Sequence, residues 1–193
     1  MISHRLFSPP RTNVKYAIIG IYNANLNNGL GEVIAIEGIY PNPNFDYNLR
    51  SHDQMIVKLV TPSSSPTVTI NFDPNVPNQT SSQVTLIGFG VTQTGNLPSV
   101  LQETQMNYIP NNQCSTIQNG GVSYQGQVSS DMICFLGQNS GQCNGDSGGP
   151  YLLLGDSYET DVQVGTVSWY VAKVVKRNVL DSKIVFTNCF FLQ

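Results

Sequence analysis

The sequence predicts an all-β fold, a sandwich or barrel of short strands, and three observations carry that reading. Asn, Gln, Ser, Thr, Gly and Pro take the places that Lys and Glu hold on helical surfaces, a composition that favours strands and turns. Short apolar runs recur between turn clusters. No 3.6-residue periodicity persists beyond about two turns, so the strands do not alternate with helices as a βαβ sheet requires.

The elements follow in order. Tyr16 to Tyr22 reads as a strand, and the run Asn23 to Gly31 that follows it is rich in turn residues. Val33 to Ile39 is the next strand, followed by a Pro/Asn loop from Pro41 to Asn48 and a strand from Met55 to Val60. The polar, Pro-rich stretch from about Phe72 to Gln83 reads as a linker, which divides the chain into residues 1–75 and 84–193. Beyond it, strands are expected at Val84–Phe89, Glu103–Ile109, Tyr151–Leu154, Val162–Trp169 and Lys183–Thr187.

Charge and cysteine usage limit the function. Only 11% of the 193 residues are charged and the formal net charge is −3, which excludes a polybasic surface for nucleic acid or anionic lipid. No run approaches the ~18 uninterrupted apolar residues of a membrane-spanning helix. The four cysteines, Cys114, Cys134, Cys143 and Cys189, form no Cys-x-x-Cys pair and have no neighbouring histidine, so a metal site is not expected. An even count in a loop-rich chain points to disulfides and an oxidising compartment. Asn78-Gln79-Thr80 reads as a glycosylation acceptor, in agreement. Met1-Ile2-Ser3-His4-Arg5-Leu6 has no apolar core and reads as no signal peptide, so a chain without its original beginning is expected.

The run Gly141-Gln142-Cys143-Asn144-Gly145-Asp146-Ser147-Gly148-Gly149-Pro150 carries the chemistry. Gly145 and Gly148 let the backbone turn tightly around Ser147, so the amides of Gly145 and Ser147 can converge where an oxyanion forms. The run also fits the Gly-x-Ser-x-Gly elbow of α/β-hydrolases. That elbow needs a helix after the serine and a later histidine, whereas Pro150 and an apolar strand follow here, and His4 and His52 both precede Ser147. The order His, Asp, Ser remains open.

In that order the chain resembles the chymotrypsin/trypsin serine protease family. Gly145 to Pro150 resembles its nucleophile motif, and Val167-Ser168-Trp169 its substrate-binding strand. His52 to Leu59 resembles its Asn-Asp-Ile-Ala-Leu-Leu-Lys-Leu segment, which makes Asp53 the triad aspartate, 94 positions before Ser147 (147 − 53). Gly88-Phe89-Gly90 resembles Gly-Trp-Gly, and Asp131-Met132-Ile133-Cys134 resembles Met-[Ile/Leu]-Cys-Ala. The five segments lie in register from about Val14 to Trp169.

The resemblance implies two antiparallel Greek-key β-barrels of the chymotrypsin type, the first incomplete, with the active site between them. It implies Ser147 and Asp53 as catalytic residues, with Gly145 and Ser147 forming the oxyanion hole. Asp146 would be the carboxylate that pairs with the amine released on zymogen cleavage. Gly141 (or Ser140), Gln142, Ser168, Trp169 and Tyr170 would line the substrate pocket, and Cys114 with Cys134 would form a disulfide. A protein or peptide substrate, a secreted monomer, and no cofactor, metal, nucleic acid or membrane complete the expectation.

The pattern also breaks. The family's Ile-Val-Gly-Gly and Thr-Ala-Ala-His-Cys segments are absent. No basic residue immediately precedes Ile18-Ile19-Gly20-Ile21. His52 adjoins Asp53, so on a strand the two side chains would point to opposite faces. His4 lies at a tolerable spacing, 49 residues before Asp53 (53 − 4), but lacks the flanking small residues and cysteine. Tyr170 replaces a glycine along the substrate strand, and Cys143 lacks its usual partner, leaving Cys189 as a substitute. Two readings follow: a serine endopeptidase acting through an acyl-enzyme but silent as this chain, or a non-catalytic homologue that binds as a decoy. With no inserted amine, Asp146 is expected to lack a partner and the oxyanion loop to relax.

Overall fold

The computed structural model describes residues 14–25, 31–77, 82–119, 122–137, 141–172 and 183–188. Its elements in chain order are β1 (Tyr16–Ile19), β2 (Glu32–Pro41), β3 (Met55–Leu59), β4 (Thr69–Ile70), β5 (Gln83–Gly88) and β6 (Gln102–Ile109). The single-turn helix α1 (Asn111–Cys114) follows, then β7 (Gln118–Asn119), β8 (Val122–Ser123), β9 (Met132–Gly137), β10 (Pro150–Leu153), β11 (Val162–Ala172) and β12 (Lys183–Asn188). The fold is all-β with very little helix, as the strand and turn pattern implies.

The C-terminal half closes on itself. Strands run in the order β10-β5-β6-β9-β12-β11, and β10 also pairs with β11, so six antiparallel strands complete a barrel. Closure removes every free strand edge within that ring. Val84, Leu86, Met106, Ile133, Phe135, Tyr151, Val164 and Val167 fill its interior. Phe135 and Tyr151 stack there with centroids 4.6 Å apart. A second cluster under α1 gathers Ile109, Cys114, Tyr124, Met132, Cys134 and Trp169, and a disulfide joins Cys114 to Cys134 within it.

The N-terminal half is a three-stranded antiparallel sheet, β1-β2-β3. Ile34 and Met55 are buried, while Tyr16, Ile18, Val33, Tyr40 and Ile56 are exposed. Backbone bonds from Ala24 to Ser99 and from Leu101 to Tyr22 tie this half to the barrel. The chain has already crossed to the barrel before the Pro-rich stretch. β4 pairs in parallel with β11, and the Asn71 amide continues that pairing to the Gln163 carbonyl at 2.9 Å. Of the stretch read as a linker, Val76 packs against the barrel core and Pro77 is buried. The Asn78-Gln79-Thr80 triplet lies outside the described residues.

β9 carries the Met132-Ile133-Cys134 segment but was not anticipated as a strand. Four of its six residues are the consecutive buried run Met132 to Phe135, which lacks the polar alternation that marks a half-exposed strand.

Candidate active site

The loop leading into β3 is built to bury one carboxylate. Asp46 Oδ1 accepts from the amides of Asn48 and Leu49, closing a turn, and the Asp46 amide bonds the Ser51 carbonyl at 3.1 Å. The chain then passes through two left-handed residues, Arg50 at φ 57° and His52 at φ 54°. Such conformations are uncommon for residues with a side chain and persist only where the surroundings enforce them. Asp131 does so here, its Oδ2 accepting from the His52 amide at 2.6 Å. Asp53 follows and is fully buried.

Its partner comes from the barrel. The pairing of β11 with β12 slips between Val167 and Trp169, leaving Ser168 as the extra residue of a bulge. A bulge re-aims a side chain that strict alternation would send elsewhere. The Ser168 hydroxyl donates to Asp53 Oδ2 at 2.6 Å, which supplies a hydrogen bond to a carboxylate that burial would otherwise make costly.

The loop around Ser147 is pinned on both sides. The Gly148 amide donates to the Val167 carbonyl at 2.8 Å and the Val167 amide to Gly149 at 2.9 Å, which joins the loop to β11 two residues before Trp169. The Gly149 amide bonds Asp146, and the Val91 amide bonds Asn144. Gly145 at φ 103° and Gly148 at φ 81° occupy backbone conformations that a side chain would strain. The amides of Asp146, Gly148 and Gly149 are all engaged, whereas those of Gly145 and Ser147 donate to no acceptor among the described residues.

Asp146 corrects one expectation. Its carboxylate accepts from the Gly90 amide at 2.7 Å and the Cys143 amide at 2.8 Å, so it has partners among the described residues. It lies against Gly88 and Gly90, where an added Cβ would collide with its oxygens. These two bonds hold the loop around Ser147 against the Gly90 and Cys143 backbone.

The segments that carry the family resemblance are thus joined to one another by hydrogen bonds. A family model for trypsin matches residues 6–184. The chain belongs to the trypsin family of serine proteases. Mouse (Mus musculus) transmembrane protease serine 11C is 31% identical over 147 residues, covering 70% of this chain and 32% of that protein. Pig (Sus scrofa) trypsin is 29% identical over 157 residues, covering 78% and 62%. Rat (Rattus norvegicus) trypsin-4 is 30% identical over 157 residues, covering 78% and 58%. The chain therefore spans from about a third to three-fifths of the length of these relatives.

The trypsin-family residues divide by their placement. Ser147, Gly141 and Asp146 are half-buried, and Ser168 and Trp169 are buried beside Asp53. Gln142 is fully buried, and its Oε1 accepts from the Tyr151 hydroxyl at 2.8 Å, which turns this side chain into the barrel. Burial pushes the Tyr151 phenol well above its ordinary range, and the Asp146 carboxylate adds to the shift. Tyr170 pairs with Val185 through the backbone, but its side chain, like Ser140, Cys189 and His4, lies outside the described residues. Among the described residues His52 makes no hydrogen bond through its ring, and its Nδ1 is buried without a partner.

Two residues at the site were not found from the sequence. Asp131 was read only as part of a motif, yet it clamps the loop that delivers Asp53. Arg50 was not singled out, yet its guanidinium lies 4.6 Å from the centroid of the Trp169 ring. Each contact joins distant parts of the chain, and nothing local to either residue signals it.

Proposed function

We propose that this is a serine endopeptidase domain whose 193-residue chain, by itself, turns over no peptide bond. The observation that carries the first part is the 2.6 Å bond from Ser168 to buried Asp53, beside a loop whose Gly145 and Ser147 amides donate to no acceptor among the described residues. Donors fixed in advance at the place where negative charge develops are the main source of rate in acyl transfer. In the proposed reaction Ser147 Oγ attacks the carbonyl carbon of a peptide bond, and a histidine takes the hydroxyl proton. Asp53 orients that histidine, and the two amides receive the oxyanion. The amine leaves with the proton, and water releases the acyl group by the reverse sequence. Gly141, Ser168 and Trp169 lie beside the substrate. With no charge at Gly141, a buried Lys or Arg of the substrate would find no counterion there.

The second part rests on His52, the histidine among the described residues. Neither ring nitrogen forms a hydrogen bond to a described residue, and Ser147 and Asp53 are both described, so the ring is bonded to neither. Removing the histidine base from such a site costs on the order of 10⁶-fold in rate. The same observation favours the second reading, a non-catalytic module that binds peptides and acts as a decoy. The disulfide supports a secreted or cell-surface setting for either.

A fluorophosphonate probe applied to the oxidatively folded 193-residue chain tests both parts. The expected result is no stoichiometric labelling of Ser147. Labelling that His4→Ala abolishes would overturn the silent reading and make His4 the base. An unlabelled chain that still binds blocked peptides would support the binding module.

A further inference from the structure

We infer that Arg50 makes this site selective for peptides that carry an acidic side chain beside Trp169, an inference that rests on the peptide-binding reading above and deepens it. Arg50 is half-buried, with its guanidinium 4.6 Å from the Trp169 ring centroid. Among the described residues it forms no ion pair; the pair found there is Lys58–Glu37, on the N-terminal sheet. A half-buried cation without a counterion is a standing electrostatic demand, and a carboxylate meets it best.

The placement is enforced. Arg50 has a left-handed backbone, φ 57°, in a loop held by the Asp46–Ser51 bridge on one side and by the bond from the His52 amide to Asp131 on the other. Conformations of this kind cluster where a loop has a ligand to hold. Stacking on an aromatic face occupies the flat surface of a guanidinium and leaves its N–H edge available, the geometry that receives a carboxylate through two parallel hydrogen bonds.

The acidic groups on and against this loop are already engaged. Asp46 receives the amides of Asn48 and Leu49, Asp131 receives the His52 amide and the Ser129 hydroxyl, and Asp53 receives the Ser168 hydroxyl. Trp169 directly follows Ser168, so a peptide lying along this part of β11 runs beneath the guanidinium. The net charge of −3 works weakly against an acidic ligand as a whole, which confines the preference to the one side chain that reaches Arg50.

The test uses the single tryptophan of the chain, Trp169, as its reporter. Emission is followed while the 193-residue protein is titrated with blocked hexapeptides in which one position at a time carries Glu, Gln or Lys. At one position Glu is expected to bind about fivefold more tightly than Gln at low salt, the range of a partly exposed ion pair. The ratio should fall toward unity in molar salt. Arg50→Gln should bind all peptides alike, Arg50→Lys should keep part of the preference, and Arg50→Glu should favour Lys.

Equal binding of Glu and Gln peptides by the wild type, or a preference that survives Arg50→Gln, overturns the inference and leaves the peptide-binding reading intact. If no peptide alters Trp169 emission or competes with an immobilised one, the reading of the site falls, and the inference falls with it.

Discussion

The Ser168 hydroxyl and the Asp53 carboxylate, 115 positions apart in the chain, lie 2.6 Å from each other in a buried contact between its two halves. The contact matters because Asp53 is fully buried and Ser168 sits at a bulge. Ser168→Ala removes a donor to a buried acid and is expected to destabilise the fold by about 1.5–3 kcal/mol, the range for a hydrogen bond to a charged group. Urea unfolding measures this; a midpoint shift worth under about 0.5 kcal/mol would show that other partners hold Asp53 unaided.

The cradle of Asp146 gives a second expectation. A methyl group at residue 90 meets the Asp146 carboxylate, so Gly90→Ala should displace it and release the Cys143 amide. Overpacking of this kind costs about 1–3 kcal/mol. Hydrogen exchange should quicken at Cys143 while Val84, Met106 and Phe135 in the barrel keep their protection. Unchanged exchange at Cys143 would mean that the loop is held without Asp146.

The disulfide between Cys114 and Cys134 closes a loop with a sequence separation of 20. On loop entropy alone it contributes roughly 3 kcal/mol. The Cys114→Ser, Cys134→Ser double variant should lose about that much in denaturant unfolding. Peptide mapping without reductant should recover this pair, and recovery of Cys114 joined to Cys143 or Cys189 would contradict the assignment.

Glu32 controls the pH response of the three-stranded sheet. The Ser65 hydroxyl, the Ser64 amide, the Ser63 hydroxyl and the Ser65 amide all donate to its carboxylate and lower its pKa from 4.5 to about 2. A folded-state value below the unfolded one means the ionised form is favoured by folding. The contribution is present above about pH 4.5 and is lost as the pH falls toward 2. Carboxyl-resolved NMR titration should find the low value in the wild type, and in Glu32→Gln the protection of the Ser64 and Ser65 amides, taken relative to their intrinsic exchange rates, should become insensitive to pH across this window. A Glu32 midpoint near 4.5 would remove the basis for this.

Much of the site was legible because the family's catalytic chemistry leaves short, local signatures. Gly145 and Gly148 are glycines since the turns around Ser147 need positive φ, and that need is written beside the serine it serves. The strands from Val84 to Phe89 and from Glu103 to Ile109 were legible from their apolar content and flanking turns, and correspond to β5 and β6. The positions of Ser147, Asp53 and Ser168 follow from the order of motifs, not from any one of them.

The sequence by itself determined the β class, the family and which serine stands in the nucleophile motif, because backbone preference and motif spacing are properties of neighbouring residues. Tertiary structure alone decided that Ser168 bulges toward Asp53, that two backbone amides satisfy Asp146, and that Arg50 settles on Trp169. These are contacts between segments brought together by barrel closure and by the packing of the N-terminal loops on it. A buried charge takes whichever donor that packing supplies, and a residue's neighbours in sequence do not specify which donor it will be.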